Sequence, residues 1–337
     1  PEKTSFYLVR LLPLRFFLWL GAYFGALALG LVLGRSKQEI FYLAVLGLRL
    51  LPYSLTYLIA SFQNARERME YMSLANIATI ALTAIIGVGF VAVKLSLAWV
   101  LFAYVLGNLL VAIFFLARAG SWQLVLGWVP DTRFWKEIFS QSWVFAVLVI
   151  LSVLNLRLSV IMLGILGGAV ATGLYGSAFR FVEAIILLPQ ALALALFPLS
   201  ARLFTTDPRR LKSIYKKGLG ILFLVSLPFA FVFIFFPQMI ISLVYGAEYL
   251  RAVSVLPVLG LAMILFFLNA LPGNIILNSP KVNYFLPAVS FYLVTGLVLC
   301  LILIPRYSII GAAWAVVGGE AVALVVNNLF VWRILRD

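Results

Sequence analysis

The chain has 337 residues, of which 65% are hydrophobic and 11% are charged, and its formal net charge is +14. Soluble domains are about half apolar and about a quarter charged, so a mean hydropathy of +1.14 excludes a water-soluble fold. The absence of His removes the usual general base and the commonest metal ligand, and the single Cys300 cannot form an intrachain disulfide. We therefore predict an all-α protein that crosses a membrane many times.

Ten segments are long and apolar enough to span a bilayer, which takes about 20 mostly apolar residues. In chain order they are 14–33, 40–62, 72–93, 97–116, 138–163, 172–203, 218–236, 255–277, 285–304 and 312–332. The sixth is long for one span, so we expect it to tilt or to extend into the cytoplasm. The prolines within spans each predict a kink, and they are Pro52, Pro189, Pro198 and Pro272.

The distribution of Lys and Arg over the loops predicts the orientation. Seventeen fall on one side of the alternating spans, whereas the other side holds five, which are Arg35, Lys37, Lys94, Arg251 and Arg306. Because cytoplasmic loops collect Lys and Arg, both chain ends are predicted to be cytoplasmic and the protein to lie in the inner membrane of the cell. This topology accounts for the positive charge, and we predict no nucleic-acid partner.

The longest polar connection in the first two thirds, 118–137, divides the chain. We predict an N-terminal bundle at 1–120, a cytoplasmic linker at 121–137 and a C-terminal six-helix bundle at 138–337. A constant offset of 215 residues places Arg118 on Arg333 and aligns three spans, which favours parallel repeats. With four helices against six and no initiator Met, we expect two more helices upstream and twelve in the whole protein.

Several short motifs occur in one order along most of the chain. They are QNARERMEY at 63–71, VIMLG at 160–164, GLYGSA at 173–178, LLP at 187–189, FPLS at 197–200, YGAEY at 245–249 and IPRY at 304–307, followed by GAA at 311–313. This combination resembles the Wzx-type oligosaccharide flippases of polysaccharide synthesis, in the multidrug/oligosaccharidyl-lipid/polysaccharide exporter (MOP) superfamily. Many of these proteins carry an Asp before the VIMLG segment, where this chain has Ser159.

The resemblance implies two bundles, on a family plan of six and six helices, around a central cavity that opens alternately to each side of the membrane. It also implies a polyprenyl-pyrophosphate-linked oligosaccharide as substrate, with its lipid tail remaining in the bilayer. We expect a monomer that is not an enzyme, with no cofactor and no metal, and with membrane lipids as its other partners. The departure at Ser159 puts a coupling role for an acid at that position in doubt.

Charged side chains at bilayer depth cost roughly 2.5 kcal/mol or more each, so they usually face a cavity or a partner. Arg180 and Glu183 share a helix face, and Gln190 lies further along a similar direction. They line a substrate cavity in one interpretation; in the other, Arg180 and Glu183 form a self-neutralising structural pair.

Arg157 suits bidentate contact with a phosphate, and we predict that it lines the cavity; the alternative is an arginine paired to Glu183 or Glu320. Asn155, another candidate substrate contact, shares a face with Ser159 that points nearly opposite to Arg157. One of these two faces must therefore pack against protein.

Arg49 precedes Pro52 and is predicted to bind pyrophosphate from the N-terminal half, the alternative being an arginine near the membrane interface. Glu320 follows Gly318-Gly319, where helices can approach closely, and is either a proton- or ion-coupling acid or a structural counter-ion. Asp207 and Pro208 predict the N-cap and first residue of a short basic helix on the cytoplasmic surface.

Two other functions compete with the flippase. A multidrug or small-cation antiporter of the same superfamily needs membrane-embedded acids, but this chain has more arginines than acids in its spans, which favours an anionic substrate. A membrane glycosyltransferase or ligase would need clustered acids or a His on a large external loop.

Overall fold

The structure is a computed structural model, which describes residues 2–64, 68, 70–118, 129–279 and 284–336. Within these ranges the chain forms α-helices, one 3₁₀ helix and no strand. The α-helices are α1 (Glu2–Val32), α2 (Lys37–Leu48), α3 (Leu50–Asn64), α4 (Glu70–Ala92), α5 (Leu97–Arg118), α6 (Thr132–Leu166), α7 (Gly168–Ile185), α8 (Leu187–Thr206), α9 (Pro208–Phe235), α10 (Pro237–Tyr245), α11 (Leu256–Asn278) and α12 (Phe285–Ile334). The 3₁₀ helix, Ala247–Ser254, lies between α10 and α11.

Nine helical stretches in the described residues are long and apolar enough to cross a membrane. The last of them is α12, whose 50 residues cover the ninth and tenth predicted spans. The surface agrees with a lipid environment: α4 leaves Ile77, Ile80 and Ile85 about two-thirds exposed, at 66%, 71% and 68%. Water would penalise such a stripe, whereas acyl chains accept it.

The long helix α12 is a hairpin folded at Ser308, whose φ of 49° and ψ of −125° are non-helical. A Cβ atom built on Gly311 would lie 2.2 Å from the carbonyl oxygen of Leu303, and one built on Gly319 would lie 2.8 Å from the ring of Tyr292. In a straight helix, residues eight apart are separated by about 12 Å. The chain therefore reverses at Ser308, and α12 supplies two antiparallel arms, each long enough for one span.

Two predicted spans are interrupted one turn before a proline. Helix α2 ends at Leu48, four residues before Pro52, and α7 ends at Ile185, four residues before Pro189. A proline ring clashes with the carbonyl group four residues earlier, so the helix breaks there. The predicted sixth span is consequently two helices, α7 and α8. The other two predicted prolines, Pro198 and Pro272, lie inside continuous helices.

The start of α9 is fixed by a helix cap. The Asp207 carboxylate accepts a hydrogen bond from the backbone N–H of Arg210 at 2.9 Å, and Pro208 is the first helical residue, as predicted. The basic segment is not a separate short helix, however. It forms the first turns of α9, which continues to Phe235.

The turns inside the paired spans follow the 215-residue offset that relates the predicted repeats. Lys94 and Ser308 are the non-glycine residues with positive φ among those described, and they lie within one residue of the same offset. The α4–α5 turn and the bend of α12 thus occupy corresponding places in the sequence.

The chain divides into two compact units, Pro1–Ser142 and Trp143–Asp337. The second unit has the larger core, which includes the fully buried Tyr175, Phe179 and Phe267. The first has smaller clusters, one of them around Phe115.

The predicted linker 121–137 differs from the structure at its end. Residues 121–128 lie outside the described part of the chain, but α6 already begins at Thr132. Arg10 forms a 3.2 Å ion pair with Asp131, and the indole N–H of Trp135 donates to the backbone oxygen of Arg10 at 2.8 Å. These contacts place the start of α6 in the first unit, so residues 132–137 are structured helix rather than linker.

Candidate functional site

Two arginines share one carboxylate in the second unit. Arg180 donates to Glu183 at 3.0 Å, and Arg157 forms a salt bridge with the other oxygen of the same carboxylate. The Glu183 side chain is 15% exposed, whereas those of Arg157 and Arg180 are 41% and 67% exposed. The carboxylate is therefore enclosed by cations that themselves remain accessible.

The helices position these groups near the middle of their spans. Arg157 lies centrally in the spanning part of α6, Ala146–Leu166, and Arg180 and Glu183 lie centrally in the α7–α8 stretch Gly168–Leu196. Arg180 and Glu183 are one turn apart on α7, so they meet without any tertiary adjustment. The contact with Arg157 requires α6 to pack beside α7.

The cluster opens into a recess of about 280 Å³ within the second unit. Gly173 and Gly176 line the wall of α7, and a Cβ on either residue would meet nothing within 4 Å, so this wall borders open space. Tyr245 and Tyr249 close another side with aromatic rings and hydroxyl groups. The recess thus combines charge, aromatic surface and room for a ligand group.

The electrostatic balance of the recess is positive. Two guanidinium groups and one carboxylate leave one net positive charge at bilayer depth. Each guanidinium has five N–H donors in a planar fork, so the contact with Glu183 uses only some of them and the others can bind a ligand. The predicted self-neutralisation of Arg180 by Glu183 is therefore incomplete, because Arg157 binds the same carboxylate.

The opposite face of α6 packs against protein. The Asn155 amide donates to the backbone oxygen of Val289 at 3.4 Å, and the hydroxyl groups of Ser159 and Tyr175 lie 2.9 Å apart in the core. Asn155 and Arg157, both candidate substrate contacts on opposite faces of one helix, are thus separated, because residues two apart on a helix point nearly opposite ways. The buried carbonyl oxygen of the Asn155 side chain has no hydrogen-bond partner among the described residues.

Gln190 is also separate from the recess. It lies in the first turn of α8, after the break at Ile186, and its side chain is exposed. Gln190 does not line the recess, so the part of the predicted polar stripe that lines it ends at Glu183.

Arg49 occupies the break between α2 and α3 in the first unit. It is partly buried, and its guanidinium carbon lies 5.4 Å from the centre of the Tyr104 ring, which is a cation–π distance. Arg15 lies inside α1 rather than in a loop and donates to the backbone oxygen of Ser54 at 2.6 Å. Sequence reasoning counted Arg15 with the cytoplasmic loop charges and so missed this contact.

Glu320 is buried among neutral donors. Asn269 donates to its carboxylate at 2.7 Å and to its backbone oxygen at 2.9 Å, and the phenol of Tyr292 interacts with the same carboxyl group. Asn327 donates in turn to Asn269 at 3.4 Å. No Lys or Arg in the described ranges forms an ion pair with Glu320, whose contacts there are hydrogen bonds with neutral side chains. The coupling and counter-ion roles both stay predictions.

The comparison with family models identifies the kind of protein. The model of a polysaccharide biosynthesis protein matches residues 33–254, about two thirds of the chain. The chain belongs to the polysaccharide biosynthesis protein family. This confirms the resemblance that the sequence motifs indicated.

This family member also shares its fold with transporters of known structure. The lipid II flippase MurJ in an inward closed conformation matches with a TM-score of 0.80 and 13% identity, over 98% of this chain and 73% of that one. An inward-facing multidrug resistance MATE transporter of the MOP superfamily gives 0.79 and 14% identity, over 96% and 79%. A MOP superfamily transporter from Pyrococcus furiosus, in which reversed polarity of the binding pocket suggests a different function, gives 0.64 and 16% identity, over 97% and 77%.

At these identities the structural matches establish the fold, and they confirm the predicted class of polytopic, all-α membrane proteins. These neighbours are, by their own descriptions, a flippase and transporters. An uncharacterized membrane protein of Methanocaldococcus jannaschii is 27% identical over 149 residues, which are 42% of this chain and 28% of that protein.

Proposed function

We propose that this protein is a flippase that moves a polyprenyl-pyrophosphate-linked oligosaccharide across the cytoplasmic membrane by alternating access. The observation that carries the proposal is the cluster in which Arg157 and Arg180 share Glu183 at mid-span. Membership of a polysaccharide biosynthesis family supports a sugar-containing substrate, and the fold shared with a lipid II flippase supports a lipid-linked one.

The charge of the cluster favours an anion. A pyrophosphate oxygen can accept hydrogen bonds from the outward donors of both arginines while Glu183 holds the two guanidinium groups in place. A fully neutralised pair would offer no such attraction, and an excess of carboxylates would repel the substrate. Arg49, beside Tyr104 in the first unit, stays a predicted pyrophosphate-binding residue of the N-terminal half.

The recess also offers surfaces for sugar. Tyr245 and Tyr249 present rings and hydroxyl groups next to the arginines. In this proposal they contact the first sugar rings while the lipid tail stays among the exposed aliphatic side chains of the spans. Gln190 and Asn155 lie outside this recess, so we assign them no role in phosphate binding.

The alternative function is a multidrug or small-cation antiporter, since MATE transporters share this fold. It would place a cation on a membrane-embedded acid. Glu183 is already bound by two arginines and Glu320 is enclosed by Asn269 and Tyr292. The described spans thus hold their central acids in contacts that leave little access for an organic cation.

We further propose that the protein acts as a monomer in the inner membrane, with both ends of this chain in the cytoplasm. The excess of Lys and Arg on one side of the spans supports this orientation.

The test is transport of a polyprenyl-pyrophosphate-linked oligosaccharide into proteoliposomes, with reconstituted protein quantified for each variant. Arg157→Ala and Arg180→Ala should each reduce initial flipping about ten-fold or more, since a charge-assisted hydrogen bond contributes roughly 1.5–3 kcal/mol. Lys216→Ala, which removes an exposed cation near the start of α9, is the matched control and should leave the rate within about two-fold.

Glu183→Gln distinguishes the two functions. It raises the charge of the recess without changing its shape, so an anionic substrate should bind at least as tightly, whereas a cationic drug should lose its acid. The double variant Arg157→Gln with Glu183→Gln keeps one net positive charge and controls for misfolding. The proposal would be overturned if both arginine variants flipped the substrate at the wild-type rate. It would also be overturned if the protein transported a cationic drug and Glu183→Gln abolished that transport.

A further inference from the structure

A second recess of the second unit lies at one membrane face, and its lining residues differ from those of the recess at the arginine cluster. Its volume is about 800 Å³, and it is formed by the start of α7, the 3₁₀ helix and the bend of α12. The basic start of α9 lies at the other face, because 28 helical residues extend about 42 Å. The recess therefore opens where one leaflet of the bilayer meets water.

The walls of this recess are mainly aliphatic. Val170, Ala171 and Leu174 contribute one side of α7, and Ile309 and Ile310 follow the bend of α12. Val170 is 73% exposed, so the apolar wall continues onto the lipid-facing surface. A water-soluble ligand gains little from such a wall, whereas an acyl chain or glycerol backbone gains from every apolar contact.

Few polar side chains line the recess. Arg251 and Ser254 come from the 3₁₀ helix, and Tyr307 and Ser308 come from the bend. Arg251 is exposed and forms no ion pair with any acid in the ranges that the structure describes, including Glu248 one turn earlier. An arginine without a carboxylate, next to a phenol at the level of the lipid headgroups, matches a phosphate.

We propose that this recess binds an anionic phospholipid, with its phosphate on Arg251 and its glycerol and upper acyl carbons along Val170 and Leu174. The volume lies within the roughly 300–1,000 Å³ of ligand pockets. The Ser254 hydroxyl donates to the Arg251 backbone oxygen at 3.2 Å, which stabilises the 3₁₀ turn that carries Arg251. In this proposal the bound phospholipid is distinct from the transported substrate, because no lining residue of this recess lines the recess at the arginine cluster.

Arg306 provides the matched control. It lies one residue before Tyr307 on the same membrane face and is exposed, yet it does not line the recess. Arg251→Ala and Arg306→Ala each remove one positive charge from this face. A general attraction of anionic lipid to a basic surface would therefore weaken equally in both, whereas a built site would respond only to Arg251.

The experiment titrates short-chain phosphatidylglycerol onto the purified full chain in detergent and measures bound lipid by native mass spectrometry, with phosphatidylcholine of the same chain length for comparison. Arg251→Ala should raise the dissociation constant for phosphatidylglycerol about ten-fold, since a charge-assisted hydrogen bond to the phosphate is lost. Val170→Trp, which fills the recess from an exposed position without changing charge, should weaken binding as well. Arg306→Ala should stay within about two-fold of wild type, because Arg306 does not line the recess.

Three results would overturn the site. Equal binding of phosphatidylcholine and phosphatidylglycerol by the wild-type chain would remove the role of the guanidinium. Equal loss in Arg251→Ala and Arg306→Ala would assign the effect to the surface as a whole. Unchanged binding in Val170→Trp would place the lipid elsewhere.

Discussion

Replacing Gly311 with alanine tests the hairpin of α12 directly. The added Cβ would lie 2.2 Å from the carbonyl oxygen of Leu303 and 2.5 Å from its carbonyl carbon. A carbon–oxygen contact normally needs about 3.3 Å, so the arms would have to separate by about 1 Å. The obstacle is backbone, which cannot rotate away. We therefore expect a loss of about 2–3 kcal/mol in the free energy of unfolding, near the upper end of overpacking costs.

Gly220 in α9 is the control for this substitution, since a Cβ there meets nothing within 4 Å and the residue is exposed. Gly220→Ala should stabilise the helix by up to about 1 kcal/mol through helix propensity alone. The two variants are unfolded thermally in the same detergent, and the fraction that remains monodisperse is measured. Gly311→Ala should have a melting temperature well below that of wild type, whereas that of Gly220→Ala should be equal or higher. Equal melting of the two variants would mean that the arms do not meet at the bend.

Three further substitutions test contacts of the described residues, each followed by thermal unfolding in detergent. Asp207→Ala should lower the free energy of unfolding by about 1 kcal/mol because α9 loses its N-cap, whereas Asp207→Asn should keep most of that stability. Equal melting temperatures of the two variants would mean that the cap does not stabilise the protein. Asn269→Leu should lower the free energy of unfolding by about 1–3 kcal/mol because it leaves the buried Glu320 carboxyl short of a donor. Adding Glu320→Leu should recover much of that stability. A further loss of stability in the double variant would contradict this explanation. Ser159→Ala should cost about 1 kcal/mol by leaving the buried Tyr175 hydroxyl unpaired, and adding Tyr175→Phe should restore stability unless the hydroxyl has another partner.

Much of the fold was predictable because the signals are local. Apolar length places the spans, and the pairing of Asp207 with Pro208 places the start of α9, since a cap and a fixed φ act within one turn. The interruption before Pro52 was predictable as a kink, but not as a full end of α2 at Leu48. How far a proline disturbs a helix depends on neighbours that can take up the freed carbonyl, and those neighbours are set by tertiary packing.

The candidate site was predictable only in part. The spacing of Arg180 and Glu183 indicates their contact, because both lie on one helix face. Sequence alone left Arg157 with two possible acids, since the choice between Glu183 and Glu320 depends on how α6 packs against α7. The donors to Glu320, Asn269 above all, were missed because they lie on another helix and carry no charge that would single them out.

The hairpin of α12 has a consequence for how the chain enters a membrane. Its first arm carries Tyr292 and its second arm carries Glu320, one residue after the Gly319 that touches the Tyr292 ring. Two arms that insert together as one unit bring the acid into the bilayer already covered by a phenol, so the penalty for a lone carboxyl among lipid tails is partly avoided during synthesis. Close approach at small residues therefore serves assembly as well as the finished structure.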